Sequence, residues 1–152
     1  MRHIIAAALV FMASPTWACT EDLVSLRGDW GNARFSVEIA DDAAERSRGL
    51  MFREAMPRSA GMLFLYERPQ RVSFWMKNTL IPLDMIFLDE TGTVKRVHSN
   101  AIPGDLTSIP GGDNIIAVLE INGGLSETFG INEGSQMQHP FFAANPVWPC
   151  EE

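Results

Sequence analysis

The sequence predicts a mainly β fold of the α+β class: a compact antiparallel β-barrel, or two packed sheets, with one short helix near residues 42–49. Three observations carry that prediction. Short runs with a period of two, or continuous apolar runs of strand length, recur along the chain, against one definite helix signal. Clusters of Gly, Pro, Asn and Asp punctuate those runs. No repeat, low-complexity tract or long linker divides the 152 residues, so residues 19–152 read as a single domain whose strand edges a barrel or sandwich would hide.

Taken in order, Phe35, Val37 and Ile39 alternate with Ser36 and Glu38, the period of a half-buried strand. Asp42 then offers a helix cap with Glu45 three residues on, and Gly49 follows Arg46, Ser47 and Arg48 as a stop. Residues 61–66 are continuously apolar, and residues 71–77 alternate Val72, Phe74 and Met76 with Ser73, Trp75 and Lys77, so two strands are predicted. Residues 83–88 and 93–98 flank Asp89-Glu90-Thr91-Gly92 as an antiparallel hairpin. Pro103, Gly104, Pro110, Gly111 and Gly112 predict a long loop over 101–114, of a length that is often functional when ordered. A strand over 115–121, one helical turn over 125–129 and an irregular aromatic strap from Pro140 to Cys150 complete the chain.

Residues 1–18 read as a cleavable secretory signal: Arg2 and His3, an apolar run over 4–13, the break at Ser14-Pro15, and Thr16-Trp17-Ala18 at the cleavage site. The run spans about ten residues, half of what a bilayer-crossing helix needs, so a periplasmic or secreted protein is expected and not a membrane-spanning one. Cys19 and Cys150 sit at the two ends of the mature chain and are expected to pair, in a compartment where disulfides persist. So long a loop contributes about 4 to 5 kcal/mol by the chain-entropy estimate. The less favoured alternative is lipid on Cys19; Thr16 and Trp17 precede Ala18, whereas lipoprotein signals carry a Leu-like residue three before the cysteine. With Arg2 removed, 19 acidic residues face 11 basic ones, a net charge of −8 that opposes nucleic acid and anionic membranes as partners.

Five segments then stand in a distinctive order: Arg48-Gly49-Leu50-Met51-Phe52-Arg53, Gly61-Met62-Leu63-Phe64, Phe74-Trp75-Met76-Lys77-Asn78-Thr79, Ile81-Pro82-Leu83-Asp84-Met85, and Val118-Leu119-Glu120-Ile121-Asn122-Gly123-Gly124 with Gly130-Ile131. Over residues 35–137 this resembles the DUF192 family of prokaryotic proteins, and among them the exported members that begin and end near a cysteine. The resemblance implies a compact, mostly β structure with a short helix before the Gly-Leu-Met segment. It implies no activity, because the family's function is unknown, and no catalytic or metal-binding residues come with it.

The candidate ligand-binding residues are Trp75, Lys77, Asn78 and Thr79, an aromatic plane beside polar donors that can stack on and orient a small molecule. Their structural alternative is a Trp75 that covers the sheet, with Asn78 and Thr79 bonding turn backbone. Asp84 lies among Leu83, Met85, Ile86 and Leu88, so it requires Lys77, Arg48 or Arg53 as ion partner, or a set of backbone N–H donors, unless it is a general base. Glu120 could join it as an acid/base pair with His98 as helper, although an exposed strand end is the favoured reading of Glu120.

No metal or cofactor is expected. His98 and His139 lack ligand spacing, and the methionines read as core. No serine has a G-x-S-x-G setting. The first reading is therefore an envelope module that binds a small molecule or a protein through the Trp75 face with the 101–114 loop as rim. A hydrolase-like enzyme using Asp84 and Glu120 comes second, and a purely structural protein-interaction domain third.

Overall fold

The computed structural model describes residues 19–151; the secretory signal read over 1–18 lies outside the described residues. Seven strands and two short helices follow in the order β1 (Leu23–Gly28), β2 (Gly31–Ala40), α1 (Ala43–Arg48), β3 (Ala60–Phe74), β4 (Leu83–Leu88), β5 (Val94–Ala101), β6 (Ile109–Asn122), α2 (Leu125–Phe129) and β7 (Gln136–Gln138), with a 3-10 turn at Pro140–Phe142. The mainly β class is as the sequence predicts. All seven strands join one sheet in the order β5-β4-β6-β3-β2-β1-β7.

One pair departs from the expected antiparallel pattern, since β2 and β3 run parallel, with Val37 opposite Gly61 and Ile39 opposite Leu63. Parallel neighbours need a crossover, and α1 with the segment after it supplies that connection. The sheet curls into a half-barrel whose two edges meet at one end. Thr93 bridges Gln136, and the Val94 and Met137 amides donate to Ser135 O and Gly92 O, each at 2.8 Å. Tying the edges together removes unpaired backbone that another chain could use.

Alternation along each strand then sorts the apolar side chains onto two faces. Inside the curl, Leu26, Phe35, Leu63, Ile86, Leu119 and Met137 are buried together, closed off by Leu125 of α2 and Phe142 of the tail. A second core forms on the outer face from Leu50, Phe64, Val72, Met76, Met85 and Phe87. Its cover is the far half of the β3–β6 ribbon. Register shifts between Leu65 and Ser73 bend that ribbon, bringing Phe74 edge-on to Phe87 with ring centroids 5.9 Å apart. Gly111 belongs to this contact, because a Cβ there would lie 2.3 Å from the Phe87 ring.

Two predicted boundaries change for that reason. Residues 61–66 and 71–77 are one strand, β3, which ends at Phe74 and leaves Trp75 and Lys77 beyond it. The long loop over 101–114 shrinks to 102–108, since β6 begins at Ile109. Gly104 keeps its turn at φ 75, but the two later glycines belong to the strand: Gly111 permits close packing, and Gly112 at φ 96 together with Asn114 at φ 56 takes up the bend.

Cys19 and Cys150 are joined by a disulfide, their Cα atoms 5.7 Å apart, so Cys19 holds no thiol for a lipid. Beside it His139 locks the tail, with Nδ1 accepting from the Phe141 amide at 3.1 Å and Nε2 bonded to Glu21 O at 2.8 Å. Among the described residues no helix is long and apolar enough to cross a membrane.

Candidate functional site

The site starts from α1. The Asp42 carboxylate accepts from the Glu45 amide at 2.8 Å, and the Glu45 side chain reaches back to the Asp42 amide, the reciprocal cap read in the sequence. Gly49, at φ 49, stops the helix. The chain then turns onto the outer face, where Leu50 is buried and a Cβ on Gly49 would sit 3.1 Å from the Phe64 ring. The Phe52 amide donates to Asn78 O at 2.8 Å, which docks this segment on the turn that follows β3.

Between the C-terminal turn of α1, the outer face of β3 and the 75–79 turn lies a cavity of about 350 Å³. Phe64, Tyr66, Phe74 and Trp75 supply aromatic walls, Ser47, Ser73 and Thr79 hydroxyls, and Arg46 and Arg48 cationic groups at the helix end. Glu120 reaches it from β6, where it stands opposite Met62 of β3 and Met85 of β4.

Glu120 corrects the expectation of an exposed strand end. It is 4 % exposed, because the register sends it to the outer face beneath α1 and the bent ribbon. Its carboxyl has no hydrogen-bond partner in the protein, and loss of water pushes its pKa up to about 8. No buried oxygen goes unsatisfied among the described residues, so the Glu120 carboxyl retains contact with the open cavity. Tyr66 stands near it, its phenol pKa raised first by burial; Arg46 lowers it and Glu120 adds to the rise. The Arg46 guanidinium lies 5.1 Å over the Tyr66 ring and donates to Leu65 O at 2.8 Å and to Asp41 O. Arg48 is exposed and has no such partner.

The four candidate binding residues divide. Trp75, 47 % exposed, and Thr79, buried, line the cavity. Lys77 instead places its ammonium 5.1 Å over the Trp75 ring, and Asn78, at φ 53, turns its amide toward Met51 Sδ at 3.9 Å. Thr79 Oγ1 donates to Lys77 O at 3.1 Å. Loop 102–108 backs this turn, with Met76 N bonded to Asp105 O and Gly104 N to Met76 O and Thr79 O.

Asp84 is not brought to the site. Met85 pairs with Glu120 and Asp84 with Ile121, so neighbouring positions send the two carboxylates to opposite faces and no acid/base pair forms. Nor does Asp84 meet Lys77, Arg48 or Arg53; Arg53 binds Glu38 at 2.6 Å. At 0 % exposure it accepts from the backbone amides of Asn100 at 2.8 Å, Gly124 at 2.9 Å and Ser126 at 2.7 Å. The last two open α2, whose cap residue Gly124 has no side chain of its own. His98 lies across from Met85 on β5, outside the cavity lining.

A second cavity, about 390 Å³ and lined in part by Ile39, Leu65, Phe141 and His139, lies beside the tail. Its buried polar group is spent, since both His139 nitrogens are hydrogen-bonded. Arg46, Arg48, Phe64 and Tyr66 were absent from the sequence-derived candidates. The available signal was the motif set itself: Arg48 to Met51, Phe64, Phe74 with Trp75 and Thr79, and Glu120 come from four of its five segments and converge on one cavity.

Comparison with known proteins follows the same outline. The model of the DUF192 family, described as "Uncharacterized ACR", matches residues 24–139. A Novosphingobium aromaticivorans protein of unknown function superposes with a TM-score of 0.74 at 42 % identity, over 76 % of this chain and 82 % of that one. A Sinorhizobium meliloti protein provisionally named a transcription regulator superposes with a TM-score of 0.75 at 34 % identity, over 80 % of this chain and 95 % of that one. No curated protein matches.

Proposed function

Because the chain belongs to the DUF192 family, which offers no activity as a guide, we propose its function from the cavity: it is an exported module that binds a small molecule over Glu120. The observation that carries this reading is a carboxyl 4 % exposed that faces a cavity with nothing in the protein to hydrogen-bond it. A nearly buried carboxyl that has no partner in the protein and keeps contact with an open cavity is placed to meet a partner from outside. Trp75 and Thr79 serve as wall, while Lys77 and Asn78 hold the turn that presents them.

Ser47 provides the test. It lies exposed on α1 at the cavity, where Ser47→Trp fills the space without touching the core. Small molecules that raise the melting temperature of the wild type are expected to leave this variant unchanged. Equal shifts in both proteins would remove the cavity from the reading. Export is tested separately by mass spectrometry of the protein from its own envelope, where a mature chain starting at Cys19 is expected.

The regulator name of the Sinorhizobium protein is not extended to this chain, since a net charge of −7 opposes a polyanion. A second reading, docking of another envelope protein, draws on Phe52, Trp75, Leu80, Ile102 and Leu106, large apolar side chains exposed on the hydrogen-bonded loops around the cavity. Chemical cross-linking in intact cells that is lost in Phe52→Ser would favour it.

A further inference from the structure

We propose that the cavity takes a small organic carboxylate, with its charge on Arg48 and its apolar body between the aromatic walls. The inference rests on the binding-site reading above and adds the class of ligand. It follows from which groups are left over. Arg46 is occupied by Asp41 O, Leu65 O and the Tyr66 ring. Arg48 retains its whole guanidinium, a planar fork that matches a carboxylate with two parallel hydrogen bonds. The Tyr66 hydroxyl donates to nothing in the protein. Glu120 is in its neutral form at pH 7 and adds an O–H donor deeper in the cavity.

The lining thus offers donors and positive charge to an acceptor-rich anion, and holds no negative charge at pH 7 to attract a cation. Phe64, Phe74 and Trp75 leave room for an apolar ring or short chain, and about 350 Å³ suits one small ligand.

The charge state of Glu120 makes the proposal testable by pH. Arg46 and Arg48 from α1 share its cavity, Tyr66 from β3 lies near it and Met85 from β4 stands opposite it, with His98 one strand further on. Tyr66, raised above its ordinary 10.0, retains its proton at pH 9. Passing through about 8, Glu120 exchanges its O–H donor for a negative charge in a water-poor cavity. A bound carboxylate is then repelled, whereas a bound ammonium would be attracted.

The experiment titrates the mature protein by calorimetry with benzoate, benzamide, benzylamine and inorganic phosphate at pH 7 and pH 9. Benzoate is expected to bind best at pH 7 and to weaken about tenfold at pH 9, because the protonated fraction of Glu120 falls about tenfold between the two. Arg48→Gln, an exposed change, is expected to weaken benzoate at least tenfold while the melting temperature holds. Glu120→Gln is expected to bind benzoate equally at both pH values. Benzamide binding as tightly as benzoate, phosphate binding as tightly without an apolar body, or benzylamine gaining affinity toward pH 9 would each overturn the carboxylate and leave the binding site standing. If none of the four binds, or if Ser47→Trp binds benzoate like the wild type, both readings fall.

Discussion

Asp84 and Glu120 are both buried carboxylates, on neighbouring strands and one register position apart, yet their surroundings have opposite character. Asp84 points into the curl and is saturated by the amides of Asn100, Gly124 and Ser126. Glu120 points to the outer face and meets a cavity. In the inner region the acid is matched by three backbone amides and is a structural clasp for α2. The outer region leaves its acid without a partner and with a pKa near 8. Burial therefore does not tell whether the protein itself matches a carboxylate; the partners of its lone pairs do.

The contrast is most exposed to test at Asp84. Asp84→Ala takes the acceptor from three backbone amides, that of Ser126 buried, and is expected to cost about 3 to 5 kcal/mol in urea unfolding; a loss below about 1 kcal/mol would mean the clasp is not what holds α2. The next effect is pH-dependent and opposite in sign. For Glu120 the folded chain retains its proton from 4.5 up to about 8, while the unfolded chain loses it. The folded state binds more protons in that window, so stability falls as pH rises through it. Glu120→Gln is accordingly expected to stabilise by on the order of 2 to 4 kcal/mol at pH 9 and by almost nothing at pH 4. An equal effect at both pH values would return Glu120 to the satisfied class.

Smaller changes sharpen the outer region alone. Gly111→Ala forces a methyl against the Phe87 ring and is expected to cost about 1 to 3 kcal/mol, with the Asp84 clasp untouched. That independence is measurable in a Gly111→Ala, Asp84→Ala double variant, whose losses should add if the two faces are separate. Asp42→Ala removes the reciprocal cap of α1, at about 1 kcal/mol. Because α1 sets the position of Arg48, ligand affinity should fall more than stability does.

Much of the fold was legible because its signals are local. The Asp42 and Glu45 cap, the Gly49 stop, the 83–98 hairpin and the short α2 each depend on residues within a few positions of one another. Asp84 was legible in part: its apolar neighbours demanded a partner, and backbone amides stood among the options. Three features were not. Pro110, Gly111 and Gly112 carry the composition of a turn, yet Phe87, distant in sequence, makes a strand of them. The parallel β2–β3 pair depends on where the crossover lands, and Arg46 and Arg48 reach the cavity only because of it.

By itself, the order of residues determined the mainly β class, the cap and stop of α1, the pairing of its two cysteines and the family resemblance over residues 35–137. The tertiary structure alone decided that one acid is clasped and the other is open. The reason is physical: capping and alternation act between near neighbours and are written along the chain, whereas register and curl bring distant backbone amides, or none, to a side chain. Identical carboxylates in similar apolar runs thus acquire different chemistry from partners about 15 to 40 residues away, as Asn100 and Ser126 are from Asp84.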